Sequence, residues 1–401
     1  MEATNLWTLF QEPPRRFSPA PIWWWSGERL DPQRLRWQLE RLAEGGVYNL
    51  VILNLAPTSP LYGADPDDPP FRSEAWWRIL RQVCLHARDL GMFLWFYDQL
   101  GFSGANLQAE VVRAQPAFAG LWLARLTHDT REPVDLRCPA GGLPLGGCAL
   151  PLTATGQPAG SPQPLPLEDG VLRWRGRGPH RLMLFYAITR GFDYLQSAAC
   201  QALFALVHEE FARRLGDFFG SVIVGSFQDE LPSLPTWSRL FAAEFRRRCG
   251  YDLVSELAHL WEDLGPESGA IRGDYHRVRA ALAEEAFFQP LFAWHERYGL
   301  LCGFDQQGPA RAGYPVEATR FYADYLRTHR WYGAPGSDHH GEAKIHSSLA
   351  HLYRRPRVWI EAFHSSGWGG TLEETFDWLL PWIRAGANLY DPHAVYYSTK
   401  G

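Results

Sequence analysis

Short apolar runs alternate with segments of helical periodicity along most of this chain of 401 residues. We predict eight strands, at 21–25, 48–53, 92–98, 220–227, 300–305, 332–336, 357–361 and 388–390. Strands that alternate with helices form parallel sheets, because a helical crossover is the usual connection between two parallel strands. Eight such units predict an α/β fold, a (β/α)8 barrel of the TIM type.

The alternation is interrupted between residues 116 and 191. This region is dense in proline and glycine, and it contains segments in which polar and apolar residues alternate with period two. That pattern is typical of antiparallel strands. We therefore expect a small β-rich module, 116–191, inserted after strand three into a barrel domain made of 1–115 and 192–401.

Composition narrows the class of function. The net charge is −5, and no basic stripe is visible, so a nucleic-acid partner is not expected. No run of about 18 apolar residues occurs, so a membrane span is not expected either. Six cysteines without a CxxC pair, and an N-terminus without a signal-peptide pattern, predict a cytoplasmic protein with free thiols. If the protein were exported, Cys138 and Cys148 could form a disulfide.

The fourth predicted strand ends in two adjacent acids, Asp229 and Glu230, which are followed by Pro232. In parallel α/β folds the carboxyl ends of the strands are where ligands bind. These acids are therefore candidates for catalysis and substrate binding. The structural alternative is that they only cap the next helix.

A second carboxylate, Glu361, closes the seventh predicted strand. Acids after strands four and seven would face each other across the mouth of a barrel. Glycoside hydrolysis needs this arrangement, with one protonated carboxyl and one ionised carboxylate. A separation of about 5 Å indicates retention of configuration, and about 6.5–9.5 Å indicates inversion. The alternative for Glu361 is a buried ion pair with Arg357.

Further polar and aromatic residues follow the predicted strands. We expect substrate contacts from Trp25, Asp98, Asp229, Asp338, His339, Trp368 and His393, since tryptophan stacks on sugars and polar groups bind their hydroxyls. Asp338 and His339, close to Glu342 and His346, also allow another hypothesis. Oxygen and imidazole ligands at these spacings could form the metal centre of a metal-dependent hydrolase or isomerase.

Several motifs together resemble a known family. They are PIWWWSG (21–27), YDQLGFSG (97–104), FQDELP (227–232), GYDL (250–253) and the segment 388–401. In this order they resemble the catalytic domain of glycoside hydrolase family 106, the α-L-rhamnosidase type, and its uncharacterised relatives. The resemblance implies a (β/α)8 barrel, with Glu230 as the acid and Glu361 as the opposing base.

The resemblance also implies a cofactor and partners. Calcium is a candidate, because family members use it to hold sugar hydroxyls, although Gln99 and Gln228 stand where relatives carry acids. The partner is a carbohydrate, and a homo-oligomer could cover the flank of the barrel. A carbohydrate-binding barrel without catalytic activity remains the alternative.

Overall fold

The computed structural model describes residues 6–54, 68–102, 105–306, 315–338, 342–363 and 369–400, with the backbone alone for 315–318. The strands in these ranges are β1 (Ile22–Trp25), β2 (Asn49–Asn54), β3 (Phe93–Tyr97), β4 (Ala119–Thr130), β5 (Val134–Arg137), β6 (Gly142–Pro151), β7 (Gln163–Leu165), β8 (Leu167–Glu168), β9 (Val171–Trp174), β10 (His180–Phe192), β11 (Ile223–Gln228), β12 (Leu301–Phe304), β13 (Gly336–Ser337), β14 (Trp359–Ala362), β15 (Leu389–Pro392) and β16 (Val395–Tyr396).

The α-helices span Leu6–Gln11, Pro32–Glu44, Glu74–Leu90, Leu107–Ala114, Ser197–Leu206, His208–Leu215, Phe241–Cys249, Leu253–Glu256, Glu267–Ala283, Gln289–Tyr298, Pro315–Tyr322, Tyr325–His329, Ala343–Leu352 and Leu372–Ala385. A π-helical segment, Glu284–Phe288, joins two of them, and 3-10 turns occupy Arg15–Phe17, Pro116–Phe118, Gly216–Phe218 and Leu257–Leu260.

Two parallel sheets form the centre of the molecule. Six strands pair in the order β12-β11-β3-β2-β1-β16, and three pair in the order β13-β14-β15. The sheets are connected at two places, by a single parallel bridge between Gly303 and Ala334 and by a hydrogen bond of 2.8 Å from Ala20 N to Tyr390 O. The architecture is therefore mixed α/β, with parallel strands whose carboxyl ends lie close together.

The strands are apolar on both faces, as expected for parallel strands that are covered on both sides. All six residues of β2 are buried. Side chains such as Ile52 and Phe96 face the helices. The opposite face, which we call the inner face, includes Trp95 and Phe227, whose rings lie 5.4 and 4.5 Å from the ring of Trp359 on the second sheet. Both sheets thus share one aromatic core.

Local signals set the ends of several helices. Asp31 accepts a hydrogen bond from Gln33 N at the start of Pro32–Glu44, with proline at the first helical position. Gly91 ends the helix Glu74–Leu90 in the left-handed conformation, which favours glycine. The sequence predicts a helix start at Asp31-Pro32 and a helix end at Leu90-Gly91, and both agree with the structure.

Two antiparallel sheets follow the helix Leu107–Ala114, with strand orders β4-β10-β6-β7 and β5-β9-β8. Strand β10 pairs with β4 over nearly its full length. The amphipathic pattern over 192–215 predicts one long helix after β10. Two helices occur there instead, Ser197–Leu206 and His208–Leu215.

All six cysteines are free, so Cys138 and Cys148 do not form a disulfide. Within the described ranges, no helix combines the length and the hydrophobicity that crossing a bilayer requires.

Candidate functional site

Three buried carboxylates meet on the inner face. Oxygen atoms of Asp229, Asp305 and Glu361 all lie within 4.8 Å of one another. We call these three residues the acid cluster. They come from both parallel sheets, so the cluster exists only because the sheets are packed together.

The strand registers explain this convergence. Gln228 is aligned with Phe304 in the pairing of β11 with β12, so Asp229 and Asp305 follow the two strands at the same level. Glu361 on β14 is aligned with Asp391 on β15, and Asp338 follows β13 on the other side. Five acids therefore end five strands of two parallel sheets.

The environment favours the protonated forms of these acids. Burial raises the pKa values of Asp229, Asp305 and Glu361 well above their ordinary range, and the neighbouring negative charges raise them further. Asp391 is affected in the same way. The cause is that an ionised carboxylate loses hydration when it is buried and is repelled by another carboxylate nearby.

The hydroxyl group of Tyr97 supports one member of the cluster. It donates a hydrogen bond of 2.5 Å to Asp229 Oδ2. Tyr97 is fully buried at the end of β3, and burial raises its pKa well above the ordinary value, so it remains a donor. Asp229 is therefore held in place from the third strand as well as from its own.

Other oxygens of the site make no hydrogen bond of standard geometry to the described residues. They are both carboxylate oxygens of Asp305, both of Asp391, and Glu361 Oε2. Buried polar atoms are normally satisfied, so such orphaned oxygens need an explanation. Carboxylate oxygens are the ligands that Ca²⁺ and Mg²⁺ prefer, and the donor set therefore fits a hard divalent cation.

Glu230 lies beside the cluster and is half-buried. Its backbone N donates to Asp305 O at 3.2 Å, and its φ angle is 42°. A positive φ at a residue other than glycine costs about 1–3 kcal/mol and tends to occur at functional sites. The turn points the chain away from the strand immediately after Asp229.

A close approach of two loops shapes the same turn. Phe102 N donates to Asp229 O at 2.9 Å. A Cβ atom on Gly101 would lie only 1.5 Å from that oxygen. Position 101 therefore requires glycine, since any side chain would push apart the loops that follow β3 and β11.

The buried guanidinium group of Arg279 fixes the segment that follows Glu230. It donates to the carbonyl oxygens of Leu234, Pro235, Thr319 and Arg320 at 2.6–3.0 Å. Burial lowers the pKa of Arg279, which is about 1% exposed. This one side chain joins the segment after β11 to the segment after β12.

Two further contacts join the same segments. Gln306 Oε1 accepts from Leu231 N at 3.0 Å, and Tyr322 Oη donates to Leu231 O at 2.7 Å. The turn at Glu230 is thus anchored immediately downstream.

Two structural alternatives were open for these acids: capping of the next helix by Asp229 and Glu230, and an ion pair between Glu361 and Arg357. The first helix after Glu230 begins at Phe241 with Leu240 as its N-cap, so Asp229 and Glu230 do not cap it. Arg357 donates to Arg16 O at 3.0 Å and lies over the ring of Phe17, and it forms no ion pair with Glu361. Neither alternative describes the observed contacts.

Two predicted substrate contacts lie away from the acid cluster. Trp25 is fully buried on the helix-facing side, with its ring 6.3 Å from that of Trp76. Asp98 is buried on the same side, where it accepts from Gln228 Nε2 at 2.8 Å, and burial raises its pKa to about 7. Successive residues of a strand face opposite sides, so the inner-face residues here are Trp24 and Tyr97 instead.

Other predicted residues do lie near the cluster. His393 Nε2 accepts from Trp24 Nε1 at 3.0 Å, and His393 N donates to Ala362 O next to Glu361. Asp338 is buried, and its charge helps to raise the pKa of Glu361. His339 and Trp368 lie outside the described residues.

The predicted metal centre after strand six finds little support in the residues described. Both ring nitrogens of His346 are engaged, Nε2 with Tyr325 Oη at 2.7 Å and Nδ1 with Glu342 O at 2.9 Å. The carboxylate of Glu342 accepts from Lys344 N and caps the helix Ala343–Leu352. Among the described residues, the side chains placed to hold a metal ion together are those of the acid cluster, while His339 lies outside the described ranges.

The sequence places Asp305 at the end of the predicted strand 300–305, but no role was predicted for it. Asp391 and Tyr97 were not predicted as site residues. Asp391 directly follows the predicted strand 388–390, which is the same signal that identified Glu361.

The fold is similar to that of solved structures. The chain superposes on a rhamnosidase from Novosphingobium sp. PP1Y with a TM-score of 0.67 and 11% sequence identity, covering 98% of this chain and 56% of that one. The chain thus spans about half the length of that structure. A ruminal GH26 endo-beta-1,4-mannanase aligns over 71% of this chain and 86% of that one, with a TM-score of 0.17 and 8% identity, too low to support a conclusion. No protein-family model and no curated protein sequence matches the chain.

Proposed function

We propose that this protein is a glycoside hydrolase in which Glu230 and Glu361 form the catalytic pair. The observation that supports it most is the convergence of acids from the ends of parallel strands in both sheets, with Glu361 inside the acid cluster and Glu230 beside it. The fold likeness to a rhamnosidase makes an α-L-rhamnoside the first substrate to test.

In this proposal Glu230 protonates the leaving glycosidic oxygen. Its anchored turn holds the carboxyl at the edge of the cluster, where it is half-exposed and can reach a bound sugar. Glu361 then acts as base toward water or as nucleophile toward the anomeric carbon, which are the two roles open to the second carboxylate. Its raised pKa makes it a stronger base when it is ionised.

We also propose that the two parallel sheets belong to one (β/α)8 barrel. The eight strands would be β1, β2, β3, β11, β12, β13, β14 and β15. The bridge between Gly303 and Ala334 and the hydrogen bond from Ala20 to Tyr390 support closure at the two places where the sheets meet. The region 116–191 would be a module inserted after the third strand.

A calcium ion fits the acid cluster, and Asp229, Asp305 and Glu361 would hold it. When bound, it would supply positive charge that binds sugar hydroxyls and lowers the pKa values of the buried acids. Asp229, Asp338 and His393 would contribute substrate contacts from the protein itself. His339 and Trp368 remain predicted contacts.

The direct experiment is a panel of aryl glycosides that includes the α-L-rhamnoside, with metal content measured on the same preparation. Hydrolysis of one glycoside, lost in Glu230→Gln and Glu361→Gln, supports the proposal. Sugar-induced thermal stabilisation without turnover would favour the carbohydrate-binding alternative instead.

A further inference from the structure

The helix Leu372–Ala385 has an apolar stripe on its solvent side. Leu372 is 85% exposed, Phe376 is 60% exposed and Ile383 is 53% exposed. These residues are spaced i, i+4 and i+11, and eleven residues complete about three helical turns, so they lie on one line along the helix. We call them the apolar stripe.

The stripe is distinct from the face that packs on the protein. Trp378, Leu379 and Trp382 pack against the small core cluster that contains Val358 and Ala387. On a helical wheel the mean direction of this inner face lies about 95° away from that of the stripe. The helix is therefore apolar on two faces, and its own domain covers only one of them.

Charged residues flank the stripe on one side. Glu373 and Arg384 are eleven residues apart and therefore lie on the same flank, near opposite ends of the helix. Neither forms an ion pair with another described residue. The helix thus presents an apolar line bordered by an acid at one end and a base at the other.

We propose that this helix packs antiparallel against the same helix of a second copy of the chain. A two-fold axis perpendicular to both helices brings the same flank of each helix together. Glu373 of each copy then lies near Arg384 of the other copy, which gives two equivalent ion pairs. Leu372 of each copy lies near Ile383 of the other. A parallel arrangement would bring opposite flanks together and could not form these pairs.

The expected dimer is weak. The stripe is short, so the interface falls at the low end of stable interfaces, below about 1,200 Å². Asp377 lies close to the two-fold axis on the charged flank, so its two copies repel each other. Asp377→Asn is therefore expected to tighten the dimer.

The test is sedimentation equilibrium of the chain over about 1–300 μM, a range that detects micromolar association. We expect reversible dimers, and Phe376→Glu or Leu372→Glu should weaken association about tenfold or more because a charge enters the apolar line. Leu352→Glu is the matched control, since Leu352 is 72% exposed on a different helix. Circular dichroism and the melting temperature check that each variant is folded.

Charge exchange tests the antiparallel register. Glu373→Arg and Arg384→Glu should each weaken the dimer, and the double variant should restore it. A monomer at every concentration would overturn the proposal, as would an effect of Leu352→Glu equal to that of Phe376→Glu. A double variant no tighter than the single variants would overturn the antiparallel register.

Discussion

Glu361 and Asp229 approach within 4.8 Å although they end strands of two different parallel sheets. Both are buried, and neither Lys nor Arg forms an ion pair with them in the described part of the chain. Such an arrangement is unfavourable unless the acids retain protons or bind a cation. We therefore expect proton binding, cation binding and stability to be coupled at this site.

Stability is expected to fall as the pH rises when cations are removed. The pKa values of Asp305 and Glu361 are raised in the folded protein, so between the ordinary carboxyl pKa and the raised value the folded state binds more protons than the unfolded state. The unfolding free energy therefore decreases with pH across that window. Thermal melts in a chelator from pH 5 to 8 should show a falling melting temperature.

Asp305→Asn should flatten this decrease, because it removes one of the charges that repel each other. Glu132→Gln is the control, since Glu132 is an exposed acid far from the cluster, in the turn between β4 and β5. A melting temperature that does not change with pH, or an equal slope in Asp305→Asn, would contradict the account of the acid cluster.

Added calcium should stabilise the protein more at pH 8 than at pH 5. A cation binds the ionised carboxylates of Asp229, Asp305 and Glu361 and must displace their protons, so binding strengthens as the pH rises. Melting curves with and without about 1 mM CaCl₂ measure this, at a concentration that covers weak sites. Asp305→Asn should abolish the calcium-dependent shift, and an unchanged shift would remove Asp305 from the cation site.

Gly101→Ala should destabilise the protein by about 3 kcal/mol or more, because its Cβ would collide with the Asp229 carbonyl oxygen. Gly216→Ala is the matched control. Its Cβ would meet no atom within 4 Å, and its φ of −58° suits alanine, so a change below about 1 kcal/mol is expected. Urea unfolding of the two variants measures the difference, and equal effects would contradict the described loop contact.

Arg279→Met should cost about 3–5 kcal/mol, because it removes the Arg279 donors from four carbonyl oxygens. Of these, Leu234 O and Pro235 O are in buried bonds, and Thr319 O keeps a bond from Ala323 N. Arg279→Lys should retain part of the stability and lower kcat more than it raises KM, since Arg279 positions the segment after Glu230 without touching substrate. Arg272→Lys is the control. It also loses contacts to two carbonyl oxygens, those of His259 and Glu262, and its kcat should be nearly unchanged.

The sequence predicts the parallel strands well because their apolar runs are short and bounded by turn signals. Strand β11 begins at Ile223 and ends at Gln228, close to the predicted 220–227. The exception is β16, Val395–Tyr396, which pairs with β1 although its two residues are too few to leave a pattern. Strand β13 is equally short, and the predicted strand 332–336 begins four residues and ends one residue before it.

The site was predicted less completely because sequence alone does not show which face of a strand is the inner one. In Trp23-Trp24-Trp25 every residue is apolar, so no alternation of polar and apolar residues shows which side chains face inward. Trp25 was predicted to contact substrate, whereas the inner-face residue is Trp24. In the same way, Asp98 was predicted to contact substrate, whereas its neighbour Tyr97 is the inner-face residue. The pairing of a strand with its neighbours decides which of its residues face inward, and that pairing is a tertiary property.

The most direct test of the central claim compares two substrates of different leaving-group acidity. A general acid matters most when the leaving group is poorly acidic, so Glu230→Gln should lower kcat/KM about 10²–10⁴-fold for a phenyl α-L-rhamnoside and much less for the dinitrophenyl analogue. The account predicts this difference in a variant that remains folded. Equal losses for both substrates, or turnover equal to that of the unchanged protein, would contradict the role of Glu230 as the acid.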